Sequence, residues 1–171
     1  APAPLRRLER VGILWDASLS RGKADLDRER SLLARWLASL GDVQVALTIF
    51  RNVPDPTRRV NVKGGNVAGV LRALEGVAYD GGTDLSALPV RDRVDAYLLF
   101  SDGLGTLGDP LPPPARAPVY AVSSSAQADH AALRRIAEGS GGVYLNLART
   151  DDDDALQALG ATPYALLSVD A

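Results

Sequence analysis

Hydroxyl and carboxylate side chains are concentrated in three short segments of the sequence. These are residues 16–20 (DASLS), 81–84 (GGTD) and 101–103 (SDG). Oxygen atoms of this kind are the ligands that hard divalent cations such as Mg²⁺ prefer. An aspartate can also attack a phosphate ester, and a serine can attack a carbonyl group when a base activates it. The segments therefore offer two kinds of chemistry, metal binding and nucleophilic attack.

The elements that must position these segments alternate between apolar strands and amphipathic helices, which indicates an α/β sheet. Strands are predicted at residues 11–15, 43–50, 97–100, 119–122 and 143–147. Helices are predicted over residues 26–40, 67–74, 129–138 and 152–159. Residues 58–62 (RRVNV) are short and follow Pro54 and Pro56, so they indicate an edge strand. Two of the polar segments directly follow the continuous apolar runs VGILW and YLLF, which are typical of strands buried on both faces.

This pattern predicts a three-layer, Rossmann-like, doubly wound sheet that is mostly parallel and has one short antiparallel edge strand. Ligands of such sheets bind at the carboxyl ends of the strands, where the winding reverses. A length of 171 residues corresponds to one domain. We expect a lead-in over residues 1–10, the domain over 11–160, and a tail over 161–171 whose residues 164–169 form a strand of a following domain. Because the sequence begins without Met, we also expect a longer parent protein.

The order DxSxS, then Gly-Gly-Thr, then an Asp after a later strand resembles the metal-ion-dependent adhesion site of von Willebrand factor type A (vWA) domains. The resemblance extends over about residues 11–159 and includes the segment IAEGSGGVY. It implies direct contacts between the metal and the hydroxyls of Ser18, Ser20 and Thr83. It also implies that Asp16 and Asp102 act through bound water. The implied cofactor is Mg²⁺, with Mn²⁺ or Ca²⁺ as alternatives.

The same resemblance implies a protein partner that offers an Asp or Glu carboxylate. Neutral hydroxyl ligands withdraw little charge from the ion, which therefore still attracts an anionic oxygen. The chain departs from the common family motif DxSGSM at Leu19, which replaces Gly, and at Arg21, which replaces Met. We expect Leu19 to restrict the loop and Arg21 to occupy or screen the position of the anion. The segments WDAS and YLLFSDG are similar to bacterial proteins that join a vWA domain to an inter-alpha-trypsin-inhibitor-type (VIT) domain.

Two other functions stay open at this point. One is a structural interaction module with a degenerate metal site. The other is a phosphatase of the haloacid dehalogenase type with Asp16 as nucleophile, although Ser18 stands where that chemistry needs a second acid. Serine hydrolysis is disfavoured because the sequence has no GxSxG motif. We therefore expect a binding protein and not an enzyme.

Two motifs in the sequence imitate other sites. Residues 103–108 read GxGxxG, but Pro110 and residues 112–114 (PPP) prevent the helix that a dinucleotide site needs, so a loop is predicted. The acidic run at residues 151–154 is predicted to favour the start of a helix, since the ligand spacing of an EF-hand is missing.

Composition narrows the classes of partner. A net charge of −2 argues against a broad electrostatic contact with nucleic acid. No stretch approaches the roughly 18 consecutive apolar residues that a membrane-spanning helix needs, so no direct membrane insertion is expected. The absence of Cys excludes disulfides and thiolate ligands. We expect a bacterial protein in an extracytoplasmic or envelope-associated location.

Overall fold

The fold was analysed in a computed structural model, which describes residues 7–105 and 112–165. Six strands and four α-helices make up the described part of the chain. The strands are β1 (Arg10–Asp16), β2 (Val43–Phe50), β3 (Arg58–Val62), β4 (Ala96–Phe100), β5 (Val119–Ser123) and β6 (Tyr144–Asn146). The helices are α1 (Leu26–Leu40), α2 (Ala68–Leu74), α3 (His130–Gly139) and α4 (Asp152–Ala165). Short 3-10 turns at Leu19–Lys23 and Leu85–Ala87 lie in the loops after β1 and before β4.

The strands form one sheet in the order β3-β2-β1-β4-β5-β6. All neighbouring pairs are parallel except β2 and β3, which are antiparallel. The predicted fold class, including the short antiparallel edge strand at residues 58–62, is therefore confirmed. Strand β3 is mostly exposed, as an edge strand should be, whereas six of the seven residues of β1 are buried.

Helices cover both faces of the sheet and make three layers. On one face, Trp15 and Phe100 pack with helix residues that include Trp36 of α1, Leu74 of α2 and Leu159 of α4. On the other face, Leu14, Tyr97 and Leu99 pack against α3 through Leu133 and Ile136, as part of a second core cluster. The alternation of strand side chains between two apolar layers explains why β1 and β4 read as continuous apolar runs.

The close packing of β1 against β4 depends on a glycine. A Cβ atom added to Gly12 would lie 2.4 Å from Cδ1 of Tyr97. The tyrosine ring thus fills the space beside the glycine and lies almost entirely inside the core. A larger residue at position 12 would have to displace this buried ring.

The end of the described chain differs from the sequence prediction in one respect. Helix α4 includes Tyr164 and Ala165, which the sequence had suggested as the first residues of a strand. The rest of that predicted strand, residues 166–169, lies outside the described residues. A short apolar segment such as residues 164–169 is compatible with either a strand or a helix, and the structure extends the helix through Ala165. The division into a lead-in, one domain and a tail stays a prediction.

Candidate metal site

The candidate site lies where the winding of the sheet reverses. Asp16 is the last residue of β1, and Asp102 comes two residues after the end of β4. Strand β1 pairs with β2 on one side and with β4 on the other. The chain continues from β1 to β2 and β3 on one side, and then crosses to β4 on the opposite side of β1. This is the position at which doubly wound sheets bind ligands.

Asp16 organises the loop that follows β1. Its Oδ1 accepts a hydrogen bond from the backbone N–H of Ser18 at 2.9 Å, and the hydroxyls of Ser18 and Ser20 lie 3.3 Å apart. Its Oδ2 accepts a hydrogen bond from the hydroxyl of Ser101 at 2.6 Å, which joins the ends of β1 and β4. Burial raises the pKa of Asp16, while the hydrogen bond from Ser101 and the charge of Arg21 partly oppose the rise. Burial therefore disfavours the charged form of this carboxylate even beside the charge of Arg21.

The loop that carries Thr83 packs against the loop after β1. The backbone N–H of Leu19 donates to the carbonyl oxygen of Gly81 at 3.0 Å. The side-chain oxygen of Asn52, in the turn after β2, accepts a hydrogen bond from the N–H of Gly82 at 2.8 Å. Gly81 has a φ of 65°, a conformation that favours glycine. These contacts join the loop of the buried Thr83 to the loop after β1 and to the turn after β2.

Asp102 is buried at the start of the loop after β4. Its Oδ1 accepts a hydrogen bond from the N–H of Leu104 at 3.1 Å, and its carbonyl oxygen accepts one from the N–H of Asp129 at 2.7 Å. Gly103 has a φ of 71°, and a Cβ atom there would lie 2.9 Å from Cγ of Leu133. The glycine thus permits the turn that keeps Asp102 at the strand end.

Arg21 does not lie where the sequence had suggested. It had been expected to occupy or screen the position of an anion, but its side chain is completely buried. Its Nη1 and Nη2 donate to the two carboxylate oxygens of Glu29 at 2.9 and 2.5 Å, and its Nε donates to the carbonyl oxygen of Asp16 at 2.9 Å. The guanidinium also lies 5.3 Å from the centre of the Trp15 ring, which is a cation–π distance. The buried Arg21 side chain therefore stabilises the loop after β1 through contacts within the core.

The charge of Arg21 is retained by its neighbours. Burial disfavours the charged form, but Glu29, assisted by Asp16 and Asp102, outweighs that effect and raises the pKa of Arg21. A bidentate pair of this geometry is what makes a buried guanidinium tolerable.

Glu29 and its contacts with Ser124 were not predicted from the sequence. Oε1 of Glu29 accepts hydrogen bonds from the N–H and the hydroxyl of Ser124 at 3.0 and 2.8 Å, so the buried pair also connects to the loop after β5. A signal for Glu29 was present in the sequence. It stands three residues after Leu26 and four before Leu33, on the apolar stripe of α1, where an acidic residue needs a buried partner.

Leu19 fits into the loop without strain. None of the described residues other than glycine has a positive φ, so Leu19 does not need the conformation that the family glycine would allow. Its side chain is 68% exposed and points to solvent at the beginning of the 3-10 turn. The substitution therefore changes the surface of the loop more than its backbone.

The donor set fits a hard divalent cation. In their ionised forms Asp16, Asp102 and Glu29 carry three negative charges and Arg21 carries one positive charge, and the side chains of all four are buried. Among the described residues, no group of three or more His, Cys, Asp or Glu side chains could hold a metal ion. A metal here would therefore depend on hydroxyls in addition to two carboxylates, a set of oxygen donors suited to Mg²⁺.

The two motifs that imitated other sites behave as the sequence predicted, as far as they are described. Helix α4 begins within the acidic run, and Oδ1 of Asp151 accepts a hydrogen bond from the N–H of Asp154 at 2.8 Å. Residues 103–105 are not helical, and residues 106–108 of the GxGxxG segment lie outside the described residues.

Comparisons with known proteins show the fold. No protein-family model matches the chain, and no curated protein matches it. Among solved structures, an aerotolerance-related membrane protein from Bacteroides fragilis is similar, with a TM-score of 0.67 and 13% identity over 91% of this chain and 98% of the other. BatB from Bacteroides thetaiotaomicron has a TM-score of 0.64 and 14% identity over 90% and 98%. A von Willebrand factor type A protein from Catenulispora acidiphila has a TM-score of 0.53 and 14% identity over 91% and 42%.

These similarities establish a vWA-like α/β fold for this chain. The described part of the chain contains no helix that is both long and apolar enough to cross a membrane. The metal, its five ligands and a neighbouring VIT domain remain predictions at this level of identity.

Proposed function

We propose that this chain is a Mg²⁺-dependent protein-binding module that captures an acidic group of a partner and performs no reaction on it. One observation carries the proposal. Asp16 and Asp102 are buried together at the reversal of the sheet, and Arg21, the charged side chain that neighbours both, is already paired with Glu29. Two buried carboxylates in that position call for another cation.

The roles of the five residues follow from their chemistry. The hydroxyls of Ser18, Ser20 and Thr83 are neutral donors that would contact the ion directly. The carboxylates of Asp16 and Asp102 would act through water and supply the negative charge that retains the ion. Mg²⁺, when bound, supplies an electrophilic position that a carboxylate oxygen of a partner can fill. Mn²⁺ or Ca²⁺ could serve in the same place.

Binding accounts for this site better than catalysis does. Both carboxylate oxygens of Asp16 accept hydrogen bonds, from the N–H of Ser18 and from the hydroxyl of Ser101. A phosphatase nucleophile needs an oxygen that is free to attack, and the residue two positions later would have to be an acid, whereas here it is Ser18. The arrangement therefore supports capture of a ligand.

We further propose that the module acts in adhesion or assembly at the bacterial envelope, beside a VIT domain in a longer chain. One protein of similar fold is an aerotolerance-related membrane protein, and this similarity supports the envelope location. The segments WDAS and YLLFSDG support the VIT link. An immunoblot of membrane and soluble fractions from the source cells would locate the protein.

Thermal unfolding with and without Mg²⁺ tests the metal site. A ligand that binds only the folded state stabilises it, so we expect the Tm of the wild type to rise by about 5–10 °C at a Mg²⁺ concentration of roughly 100 Kd. We expect Asp16→Asn and Thr83→Val, which nearly preserve side-chain volume, to lose most of that shift.

Asp153→Asn is the matched control, since it also removes one carboxylate but at an exposed position. It should keep the full shift. Equal shifts in the wild type and all three variants would remove the proposed site. Partner binding that persists in a chelator would favour a structural interaction module with a degenerate metal site.

A further inference from the structure

The large hydrophobic side chains that the described residues expose all lie at one end of the molecule. They are Leu19, Val53 and Leu104, with exposed fractions of 68%, 70% and 38%. Leu19 follows β1, Val53 follows β2, and Leu104 follows β4. Because β2, β1 and β4 are consecutive in the parallel part of the sheet, their carboxyl ends lie side by side. We call these three side chains the apolar rim.

Hydrogen bonds connect Leu19, and the neighbour of Val53, to one loop of the candidate site. Leu19 stands between Ser18 and Ser20, and its N–H donates to the carbonyl oxygen of Gly81 at 3.0 Å. Val53 adjoins Asn52, whose side-chain oxygen accepts the N–H of Gly82 at 2.8 Å. Both residues therefore flank the loop that carries Thr83.

The third member lies on the other side of the site. The N–H of Leu104 donates to Oδ1 of Asp102 at 3.1 Å, so its backbone touches a candidate metal-binding carboxylate. Gly103 fixes the direction in which the chain leaves β4, as described above. The apolar rim thus borders the candidate site at the ends of three neighbouring strands.

The opposite end of the sheet has a different surface. Arg10, Arg59 and Arg93 are exposed there around a groove that also includes Gln44 and Asn61. Single exposed hydrophobic side chains are ordinary on protein surfaces and need no explanation. Their restriction to the end with the buried carboxylates, while the other end is charged, is the feature that indicates an interface.

We infer that the partner presents a protein segment in which an Asp or Glu is flanked by apolar side chains. This inference rests on the proposed function, because the carboxylate would bind the ion while its apolar neighbours cover the apolar rim. A cation recessed among buried carboxylates selects a single negative charge. The apolar rim adds no positive charge around it, so a polyanion gains nothing further there, whereas an acidic residue among apolar ones matches both features.

The chain itself shows how the preference would arise. In the common family motif the position of Leu19 is a glycine, which offers no side chain to a partner. Here that position carries an exposed leucine directly between two hydroxyl residues. A carboxylate that binds between these hydroxyls would bring its neighbouring residues close to the exposed Leu19 side chain.

Selection from a phage-displayed library of random 12-residue peptides tests the inference on the full chain. In Mg²⁺ we expect enrichment of peptides with an acidic residue that has apolar residues at adjacent positions. For one selected peptide, made synthetically, replacing the acid by its amide should abolish binding. Replacing its apolar neighbours by Ser should weaken binding about tenfold or more, since burial of one large apolar side chain accounts for that factor.

Variants of the chain separate this inference from the proposed function. The triple variant Leu19→Ser, Val53→Ser, Leu104→Ser should lose peptide affinity about tenfold or more and keep the Mg²⁺-induced rise in Tm. Ala38→Ser, at an exposed position on α1, is the control and should change neither quantity.

Other outcomes would contradict the inference, either alone or together with the proposed function. Wild-type peptide affinity in the triple variant, with Mg²⁺ dependence retained, would contradict a role for the apolar rim in peptide binding. The proposed metal site would be unaffected by that result. Enrichment of acidic peptides without apolar neighbours would have the same two consequences. Enrichment of apolar peptides that bind equally in a chelator would overturn both the inference and the proposed function.

Discussion

Two groups of acidic side chains on this molecule lie in opposite environments, one buried and the other exposed. Asp16, Asp102 and Glu29 are far apart in the sequence and buried together at the carboxyl ends of the strands. Residues 151–154 are consecutive in the sequence and lie at the exposed start of α4. The first group shares the buried Arg21, whereas in the second group Asp152 pairs with Arg28 and Asp153 with Arg35 at the surface.

Under the proposed function, the density of acids in the sequence is a poor guide to the metal site. The exposed run is stabilised by water, by surface pairs and by the amino end of its helix, so it needs no ion. The buried group is shielded from water, and in its fully ionised form one guanidinium would balance one of its three charges. The proposed cation therefore belongs to the group that is scattered over 87 positions of the sequence, from Asp16 to Asp102, counting both ends.

The largest expected contrast comes from breaking one ion pair in each region. Glu29→Ala leaves the guanidinium of Arg21 buried without its partner, and we expect a loss of about 3–5 kcal/mol in the free energy of unfolding. Asp153→Ala breaks the exposed pair with Arg35, and we expect a loss of at most about 1 kcal/mol because solvent screens that pair. Urea denaturation of both variants measures the contrast.

The double variant Arg21→Met, Glu29→Gln controls for the loss of contacts. It removes both charges together and keeps an acceptor for Ser124, so it should unfold at a higher urea concentration than Glu29→Ala. A loss below about 1 kcal/mol in Glu29→Ala would mean that the buried pair behaves like a surface pair. The comparison between the two regions would then fail.

A smaller effect should come from the cap of α4. Asp151→Ala removes the acceptor of the Asp154 N–H, and we expect a loss of about 1 kcal/mol. Binding of Mg²⁺ should be unaffected, because this carboxylate belongs to the exposed group. Thermal unfolding in the presence and absence of Mg²⁺ checks both expectations. A Mg²⁺-induced shift that disappears in Asp151→Ala would instead assign the ion to the acidic run.

Much of the fold could be predicted because its signals are local. The apolar runs of β1 and β4, the short edge strand after two prolines and the capped helices all depend on neighbouring residues. Tyr164, which was predicted to begin a strand and lies in α4, shows the limit, since a few apolar residues do not determine one state. Candidate site residues could be predicted at the strand ends because parallel strands bring their carboxyl ends together.

The support of the candidate site could not be predicted from the sequence in the same way. Arg21 was expected to occupy or screen the position of an anion because it stands at the Met position of the motif DxSGSM, but its guanidinium pairs with Glu29 in the core. That outcome depends on the relative positions of a loop and a helix face, which no local pattern specifies. The bond between Ser101 and Asp16 is also non-local, since it joins two strand ends 85 positions apart.

Localisation of a bound ion in a crystal tests the account most directly. A crystal of the chain soaked in Mn²⁺, measured near the manganese absorption edge, should show one anomalous peak within ligand distance of the hydroxyls of Ser18, Ser20 and Thr83. Asp16 and Asp102 should contact that ion through water. An anomalous peak at residues 151–154 and none at the strand ends would contradict the account.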